Sequence, residues 1–419
     1  MSKVKIKIAI IGGGAAGMMA AIVAARNGAE VCIYEKSNRL GKKILATGNG
    51  RCNYTNVNTS VNDYHGNNLS FIEEVINSFD INSTLDFFEG LGIYPRIEEN
   101  GKVYPYSLQA SSVLDNLRYE LSRYNIKEIT EHKVKSLRKN KAGFDIITDN
   151  GIFSTDKVII STGGKAGLQY GCTGDGYELA KGLGHKIISQ FPALVQLKLD
   201  ADYLKKISGV KFDGAASCFS DSDLIRREDG EILFTDYGIS GPPILQISRE
   251  AINLIYDKKK AYVIVDMFPE FNKNELFEIL SKRFAKQKDK TLEESFNGLI
   301  NKKLIPVILS LANIKIDDKL AGAQDKCNKL NKKNIYSIIN VLKEWKIEVV
   351  GHNDWQQAQT TAGGVCVDEI DSKTMESKKE KGLYFAGEVL DVDGDCGGFN
   401  LQWAWSSGYL AGYSASASV

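Results

Sequence analysis

Near the start of the chain, an apolar run is followed by a glycine cluster and then by a stretch of small residues. The segment Ile6 to Ile11 is apolar except for Lys7, and Ala15 to Ala25 consists mainly of small apolar residues. A run without polar alternation is typical of a parallel strand that is buried on both faces. The pattern therefore predicts a strand, a tight turn and a helix, and the run Val31 to Tyr34 predicts the next parallel strand.

The following part of the chain carries helical and strand patterns in turn. Apolar positions recur at helical spacing between residues 70 and 92, which predicts a core-facing helical segment. Short alternating runs between residues 126 and 154, with a turn at Asp149-Asn150-Gly151, predict a β-meander. The run Lys157 to Ile160 predicts one more buried strand, which ends at Ser161-Thr162-Gly163-Gly164.

The middle of the chain has a different pattern. Between Phe191 and Phe268, short alternating segments separated by turns predict an antiparallel sheet or barrel, with strands at Leu194–Leu199, Gly209–Phe212, Ala215–Phe219, Ile232–Phe234 and Ala261–Met267. From Asn272 to about Trp345 the chain is lysine-rich and has helical spacing. Ile347 to Val350 then predicts a strand that returns to the barrel.

Near the C-terminus, the chain returns to the pattern of buried strands and helices that its first part shows. Leu383 to Ala386 predicts a short buried strand, and Leu401 to about Tyr413 predicts a helix that follows Gly397-Gly398. We therefore predict an α/β fold in which a three-layer domain, with a parallel sheet and a β-meander, is split by an inserted antiparallel β-barrel and a small helical subdomain. The predicted boundaries are 1–190 and 356–419 for the split domain, 191–270 and 346–355 for the barrel, and 271–345 for the helical subdomain.

The composition of the chain argues against nucleic-acid-binding, membrane-spanning, disulfide-rich and metal-binding classes of protein. Of the 419 residues, 43% are hydrophobic and 25% are charged, and the net charge of +1 provides no overall field to recruit nucleic acid or an anionic membrane. No apolar run reaches the roughly 20 residues of a membrane span, and the early first strand predicts that there is no signal peptide. Seven cysteines without a Cys-x-x-Cys pair, and four scattered histidines, predict a cytoplasmic protein without a disulfide framework or a metal site.

The turn after the first strand carries the dinucleotide-binding pattern Gly12-x-Gly14-x-x-Gly17. In that pattern the first glycine permits the tight turn, the second lets the backbone approach a pyrophosphate, and the third lets the helix pack on the strand. Glu35 ends the second strand 18 residues after Gly17, at the spacing expected of a ribose-binding carboxylate. An acid there disfavours a 2′-phosphate, so FAD or NAD is expected rather than NADP. The alternative is an ordinary βαβ unit with a glycine-rich turn and a solvated acid.

Three further stretches predict contacts with a polyanionic cofactor. The loop Ala46 to Asn56 is rich in Gly, Asn and Thr and contains Arg51 as a charge partner, although a plain surface loop is the alternative. Ser161 to Gly164 places small residues at the carboxyl edge of a parallel sheet, where ligands bind in open α/β folds. Gly397-Gly398 opens the last helix, whose first N–H groups suit the N1/O2 edge of a flavin, which becomes anionic on reduction.

The whole chain resembles a known flavoprotein family that contains aminoacetone oxidase-type enzymes and BaiN-type reductases of 3-dehydro-bile acids. The matching stretches keep their order along the chain: IIGGGAAG, LATGNGRCNYTN, GKVYPYS, ISTGG, GCTGDGYELA, ILFTDYGISGPPIL, TTAGGV and GLYFAGEVLDVDGDCGGFNLQWAWSSGYLAG. The resemblance implies non-covalent FAD, a Rossmann-like FAD-binding domain, an inserted β-barrel and a helical cap. In one departure, Asp236 stands where the barrel motif of the family usually has histidine.

The motifs and the resemblance together predict the cofactor-binding positions. These are Gly12, Gly14, Ala15, Ala16, Gly17, Glu35, Lys36, Lys43, Thr47, Gly48, Gly50, Arg51, Asn53, Val134, Thr162, Gly163, Gly164, Gly387, Glu388, Asp395, Gly398, Phe399, Asn400 and Leu401. No proton donor is assigned. Tyr104, Asp236 and Tyr237 are candidates because they lie in motif stretches, with a structural role as the alternative for each.

The expected chemistry is hydride transfer through flavin N5, because FAD carries the reaction while the protein positions it. We expect a reductase of conjugated C=C bonds in an apolar, bile-acid-like or steroid-like 3-oxo substrate, with NAD(P)H as a transient electron donor. Two alternatives stay open: an aminoacetone-type amine oxidase that produces hydrogen peroxide, and an FAD-binding protein that acts on RNA or has no catalytic activity. The absence of a basic stripe makes RNA the least expected partner. The sequence leaves the oligomeric state open.

Overall fold

The computed structural model describes residues 5–314, 327 and 330–417. The chain forms two compact units, one that runs to Pro192 and resumes at Trp355, and one that comprises Ala193–Asp354. In the described ranges, no helix combines the length and the apolar character needed to cross a membrane. The parts of the predicted domains at residues 1–4, 315–326, 328–329 and 418–419 lie outside the described residues.

The elements have the following bounds. The strands are β1 (Lys7–Ile11), β2 (Glu30–Tyr34), β3 (Thr55–Asn56), β4 (Tyr64–His65), β5 (Pro95–Ile97), β6 (Lys102–Pro105), β7 (Lys127–Ile129), β8 (Val134–Lys139), β9 (Phe144–Thr148), β10 (Gly151–Thr155), β11 (Lys157–Ile160), β12 (Phe191–Ala193), β13 (Leu197–Leu199), β14 (Lys211–Ser220), β15 (Asp223–Phe234), β16 (Gly238–Ser240), β17 (Ala261–Asp266), β18 (Trp345–His352), β19 (Thr360–Ala362), β20 (Leu383–Phe385) and β21 (Asp393–Gly394). The helices are α1 (Ala15–Arg26), α2 (Leu69–Ser78), α3 (Ile81–Gly90), α4 (Ala110–Arg123), α5 (Asp175–Gly182), α6 (Leu204–Ile207), α7 (Pro242–Tyr256), α8 (Lys273–Lys286), α9 (Leu292–Phe296), α10 (Leu304–Leu311), α11 (Lys332–Lys343) and α12 (Phe399–Ser416).

A five-stranded parallel sheet organises the first unit, in the order β20-β11-β1-β2-β7. The central strand places Ile10 opposite Ile33 of β2 and Ile159 of β11, and all three side chains are fully buried. Continuous apolar runs form these strands because helices cover both faces of such a sheet. The carboxyl ends of β1, β2, β11 and β20 therefore meet along one edge, where the motif turns follow them.

Helices α1 and α12 pack closely because both carry small residues where they meet. A Cβ added at Gly408 would lie 2.6 Å from the carbonyl oxygen of Ala16, and one at Gly412 would lie 2.4 Å from that of Ala20. A real side chain at either position would force the helices apart. The small-residue stretch after the first turn is thus explained by helix packing as well as by the turn.

One prediction about the first unit is wrong. The segment assigned to the start of the meander, Lys127–Ile129, instead pairs in parallel with β2 at the edge of the main sheet, and the meander is β8-β9-β10.

The helical spacing between residues 70 and 92 is confirmed, and it comprises the two helices α2 and α3. The break lies at Asp80, whose side chain accepts a hydrogen bond from the N–H of Ser83 and caps α3.

The second unit contains a closed six-stranded barrel, in the order β13-β16-β15-β14-β17-β18. It confirms the predicted antiparallel barrel, including the returning strand after residue 345. Two strands are longer than predicted: Lys211–Ser220 is one strand rather than two, and β15 begins at Asp223 rather than at Ile232. The first half of β15 is charged, so its sequence shows no strand pattern. It is nevertheless paired with β14, because the ladder between the two strands runs from Asp223 to Leu233.

The helices α8 to α11 complete the second unit in the described part of the chain, as the helical spacing predicts. Their starts are marked in the sequence, because α8, α9 and α11 each begin with a capping box. In α9, for example, the Thr291 side chain accepts from the N–H of Glu294, and the Glu294 carboxylate accepts from the N–H of Thr291.

Candidate dinucleotide site

The turn between β1 and α1 has the shape that its three glycines predict. Gly12 has φ +102°, and a Cβ there would lie 2.7 Å from the carbonyl oxygen of Ser161. A Cβ at Gly17 would lie 2.0 Å from the carbonyl oxygen of Gly12. At Gly14, by contrast, an added Cβ meets no heavy atom within 4 Å. The first and third glycines are therefore required by the fold, whereas the second borders open space at the N-terminus of a helix, which suits a pyrophosphate.

Glu35 is fixed at the end of β2 and faces this turn. Its Oε2 accepts a hydrogen bond from the N–H of Gly13 at 2.9 Å, and its Oε1 accepts one from the N–H of Ser37 at 2.8 Å. A carboxylate has about four acceptor positions. Two remain for the hydroxyl groups of a ribose, so the geometry fits the nucleotide role predicted from the spacing.

Glu35→Ala is expected to weaken FAD binding roughly ten- to hundred-fold, because hydrogen bonds to a charged group contribute about 1.5–3 kcal/mol. The dissociation constant would be measured by titrating the apoprotein with FAD. Glu30→Ala is the matched control, since Glu30 lies on the same strand in an exposed ion pair with Lys127. Equal affinities of the two variants for FAD would contradict a ribose contact at Glu35.

The three cations predicted to face the cofactor each have an acidic partner in the structure. Lys36 pairs with Asp175, Lys43 Nζ lies 2.8 Å from Glu388, and Arg51 Nη1 lies 3.2 Å from Glu98. Their predicted contacts with the cofactor stay predictions, and in this structure each ion pair joins two segments that are distant in the sequence. Burial raises the pKa of Asp175, but hydrogen bonds from Lys133, Lys36 and Thr173 outweigh it and hold that pKa at about 2.

Glu388 and Thr361 connect the loops at the carboxyl edge of β11. Oε1 of Glu388 accepts the N–H of Thr361 at 2.9 Å, while its Oε2 binds Lys43. The Thr361 hydroxyl in turn accepts the N–H groups of Lys165 at 2.9 Å and of Ala166 at 3.0 Å. Thr361 is not among the positions predicted from the sequence, although it lies in the TTAGGV stretch. Its role shows only when the two loops are seen together.

Two features beside this connection leave room for a ligand. Gly163 has φ +71°, and a Cβ there would meet no heavy atom within 4 Å. The hydroxyl of Tyr177 is buried and has no hydrogen-bond partner among the residues that the structure describes. Burial raises its pKa, so it is a neutral donor. A buried hydroxyl without a partner is costly, and a polar cofactor atom would satisfy it.

The start of α12 is held by side chains that are predicted from the sequence to bind the cofactor. Asn400 donates to the carbonyl oxygen of Gly394 at 2.7 Å and accepts its N–H at 2.9 Å. Asp395 pairs with Nε2 of His65 at 2.8 Å. Gly398 has φ +104°, and a Cβ there would lie 2.4 Å from the carbonyl oxygen of Thr55. Glycine is therefore needed at Gly398 for close packing against β3.

Arg51, Asn53 and Tyr104 form a cluster between the glycine-rich loop and β6. The guanidinium carbon of Arg51 lies 4.4 Å from the ring centre of Tyr104, and its Nη2 lies 3.2 Å from the Tyr104 hydroxyl. Oδ1 of Asn53 accepts the N–H of Val103 at 3.2 Å. The other two proton-donor candidates, Asp236 and Tyr237, lie in the second unit on the turn between β15 and β16.

The remaining predicted positions lie in the first unit, and all of them except Val134 belong to its motif segments. Ala15 and Ala16 begin α1, Thr47, Gly48 and Gly50 lie in the 3₁₀ loop Ile44–Gly50, Val134 begins β8, Thr162 and Gly164 follow β11, Gly387 follows β20, and Phe399 and Leu401 lie in the first turn of α12. Among the described residues, no cluster of three or more potential metal ligands occurs.

Comparison with known proteins identifies relatives along nearly the whole chain. The model of the HI0933-like protein Rossmann domain family matches residues 6–414. The chain is 40% identical to a 3-dehydro-bile acid delta(4,6)-reductase from Clostridium scindens over 98% of each chain. It is 29% identical to a ribosomal RNA dihydrouridine synthase from Escherichia coli, over 96% of this chain and 95% of the relative.

A solved structure shows the same overall fold. The 3-ketosteroid delta1-dehydrogenase from Sterolibacterium denitrificans superimposes with a TM-score of 0.50 at 12% identity, over 98% of this chain and 99% of the other. The α/β fold class predicted from the sequence is confirmed, and so is the resemblance that its motifs indicated. With a reductase at 40% identity along its length, the protein is an oxidoreductase. Since the family model matches residues 6–414, the chain belongs to the HI0933-like Rossmann-domain family.

Proposed function

We propose that this protein uses FAD and NAD(P)H to reduce a carbon–carbon double bond that is conjugated to a carbonyl group, in an apolar, bile-acid-like or steroid-like 3-oxo substrate. The observation that carries this proposal is the 40% identity to a 3-dehydro-bile acid delta(4,6)-reductase over 98% of both chains. The open dinucleotide site at Gly14 and Glu35 supports FAD as the cofactor.

A second candidate is reduction of uridine in ribosomal RNA. Two relatives carry the name ribosomal RNA dihydrouridine synthase, each 29% identical over at least 95% of both chains. The C5–C6 double bond of uracil is conjugated to the C4 carbonyl, so both candidates share one reaction class. The net charge of +1 favours the small substrate, because RNA-binding proteins generally use basic surfaces.

The residues of this chain would bind and orient the reactants. Bound FAD would supply a hydride from N5 of its reduced ring. The N-terminus of α1 would hold the pyrophosphate, and Glu35 the ribose. The ion pair of Lys43 and Glu388 keeps Thr361 in place, which braces the loop after β11. Rigid loops of this kind position a cofactor without a further ordering cost.

The test is an anaerobic rapid-mixing experiment on the FAD-loaded protein. NADH or NADPH is added first, and bleaching of the flavin absorbance reports the reductive step. The reduced protein is then mixed with a 4-ene-3-oxo steroid, with a uridine-containing ribosomal RNA fragment, or with buffer. We expect reoxidation by the steroid at least ten times faster than in buffer, with the saturated ketone as the product.

The outcomes separate the candidates. Reoxidation by the RNA fragment alone, with dihydrouridine as the product, would replace the first candidate by the second. Flavin reduction by aminoacetone, followed by hydrogen peroxide formation in air, would indicate the oxidase instead. A reduced protein that none of these acceptors reoxidises would contradict the proposed reaction class.

A further inference from the structure

We propose that Tyr104, supported by Arg51, donates a hydrogen bond to the carbonyl oxygen of the substrate and stabilises the negative charge that develops there. The inference rests on the proposed reduction of a conjugated carbonyl compound. It assigns a role to a pair of side chains that lie outside the cofactor-binding turn of α1.

The hydrogen-bond geometry of Tyr104 leaves its proton available. Arg51 donates to the hydroxyl oxygen across 3.2 Å, and a guanidinium group cannot accept a hydrogen bond. Within the described residues, no second hydrogen-bond partner of this hydroxyl is found. The side chain is nevertheless buried, with Tyr104 only 4% exposed. The hydroxyl proton is therefore unused within the protein, and a ligand that brings an acceptor oxygen would take it.

The Tyr104 side chain lies in a cluster to which three motif segments contribute: the glycine-rich loop, β6 and the start of α12. A Cβ at Gly48 would lie 3.2 Å from the Tyr104 ring, which places the ring against the glycine-rich loop. Asn53, from the same loop, binds the N–H of Val103 next to Tyr104. A Cβ at Gly398 would lie 3.0 Å from Oδ1 of Asn53. The pair of Tyr104 and Arg51 therefore belongs to the same cluster as the start of α12.

The charge of the pair suits an oxyanion. The Arg51 side chain is 40% exposed, and its other contact is an ion pair with Glu98 at 3.2 Å. Its guanidinium stabilises electron density on the Tyr104 oxygen when that oxygen donates its proton toward an anion. Burial raises the pKa of Tyr104, and Arg51 lowers it only in part. The phenol therefore stays protonated at neutral pH, as a hydrogen-bond donor must.

The reaction balances with this donor in place. The hydride adds to the β-carbon of the conjugated substrate, the C=C electron pair moves to form the bond between the α-carbon and the carbonyl carbon, and the carbonyl pair moves onto oxygen. The resulting enolate oxygen accepts the O–H of Tyr104. Water then protonates the α-carbon and the ketone is restored, while the hydroxide left behind takes up a proton from the solvent. The substrate gains a hydride and a proton, and the two electrons come from NAD(P)H through FAD.

The binding of an anion that does not react tests the proposed contact without any turnover of substrate. The probe is 4-nitrophenolate, whose anionic oxygen on a conjugated ring resembles an enolate, titrated into FAD-loaded protein and followed by its visible absorbance. Tyr104→Phe is expected to bind the probe at least ten-fold more weakly than the wild type, consistent with the loss of a hydrogen bond to a charged group. Tyr106→Phe is the matched control, because Tyr106 lies two residues away and is 64% exposed. Its affinity should equal that of the wild type.

A kinetic test separates this role from a structural one. Single-turnover reoxidation of reduced Tyr104→Phe by the conjugated substrate is expected to slow about 100-fold, the usual cost of removing one oxyanion donor. FAD affinity, the melting temperature and the rate of flavin reduction by NAD(P)H should not change. Equal probe binding by wild type and Tyr104→Phe, or no binding by the wild type, would overturn the inference. A wild type that binds the probe through Tyr104 but reduces no conjugated carbonyl compound would instead count against the proposed function.

Discussion

Gly14→Val is expected to abolish FAD binding while the apoprotein keeps its fold. Gly14 has φ −81° and ψ −167°, a conformation open to any residue, and an added Cβ meets no heavy atom within 4 Å. The valine side chain would occupy the space in front of the N-terminus of α1 and displace the pyrophosphate from the amides there. Losing two hydrogen bonds to a charged group costs about 3–6 kcal/mol, which is at least a hundred-fold in the dissociation constant.

The measurement compares FAD affinity with the stability of the apoprotein. Valine is a poorer N-cap residue than glycine, so a stability loss of about 1 kcal/mol is expected at this position. Gly90→Val is the matched control, since Gly90 ends α3 and an added Cβ there also meets no heavy atom within 4 Å. It should bind FAD like the wild type. Normal FAD affinity in Gly14→Val would mean that no phosphate group lies at this turn.

Trp405→Ala is expected to destabilise the first unit by about 3–5 kcal/mol, the usual cost of truncating a buried aromatic side chain. Trp405 is fully buried in α12, and its ring centre lies 5.0 Å from that of Phe88. Its Nε1–H donates to the carbonyl oxygen of Tyr54 at 2.8 Å. Truncation would leave a cavity and an unpaired carbonyl group in the segment that leads into β3.

Chemical denaturation followed by circular dichroism would measure this loss. The chain has two compact units, so the curves need separate transitions for each. Tyr119→Ala on α4 is the control, because Tyr119 is 68% exposed and should change stability by less than about 1 kcal/mol. If Trp405→Ala lost no more unfolding free energy than the control, the surrounding side chains would be able to close the cavity.

Several elements of the fold could be predicted because their signals are local. The strand, turn and helix at the N-terminus follow from an apolar run, three glycines and a small-residue stretch, and all of these lie within 20 residues. The capping boxes of α8, α9 and α11 are equally local. Such features depend on backbone sterics and on nearby hydrogen bonds, which a short segment determines by itself.

Other elements could not be predicted because their partners decide them. The residues Asp223–Glu231 are mostly charged and show no apolar alternation, and they form a strand because β14 offers a matching ladder. The segment Lys127–Ile129 is too short to reveal its partner, and it joins the parallel sheet because the edge of β2 is free to pair with it. Strand pairing satisfies backbone groups of two segments together, so neither segment specifies it alone.

The same distinction applies to the candidate site. The sequence by itself determined the family and the fold class, and it predicted a nucleotide-type turn with Glu35 at the spacing expected of a ribose-binding carboxylate. Only the tertiary structure decided that Lys43 binds Glu388, 345 residues away, that Thr361 braces the loop after β11, and that Arg51 leaves the proton of Tyr104 free. Spacing along the chain specifies turns and helix starts, whereas side chains from distant motifs meet only because the parallel strands that carry them end at one edge of the sheet.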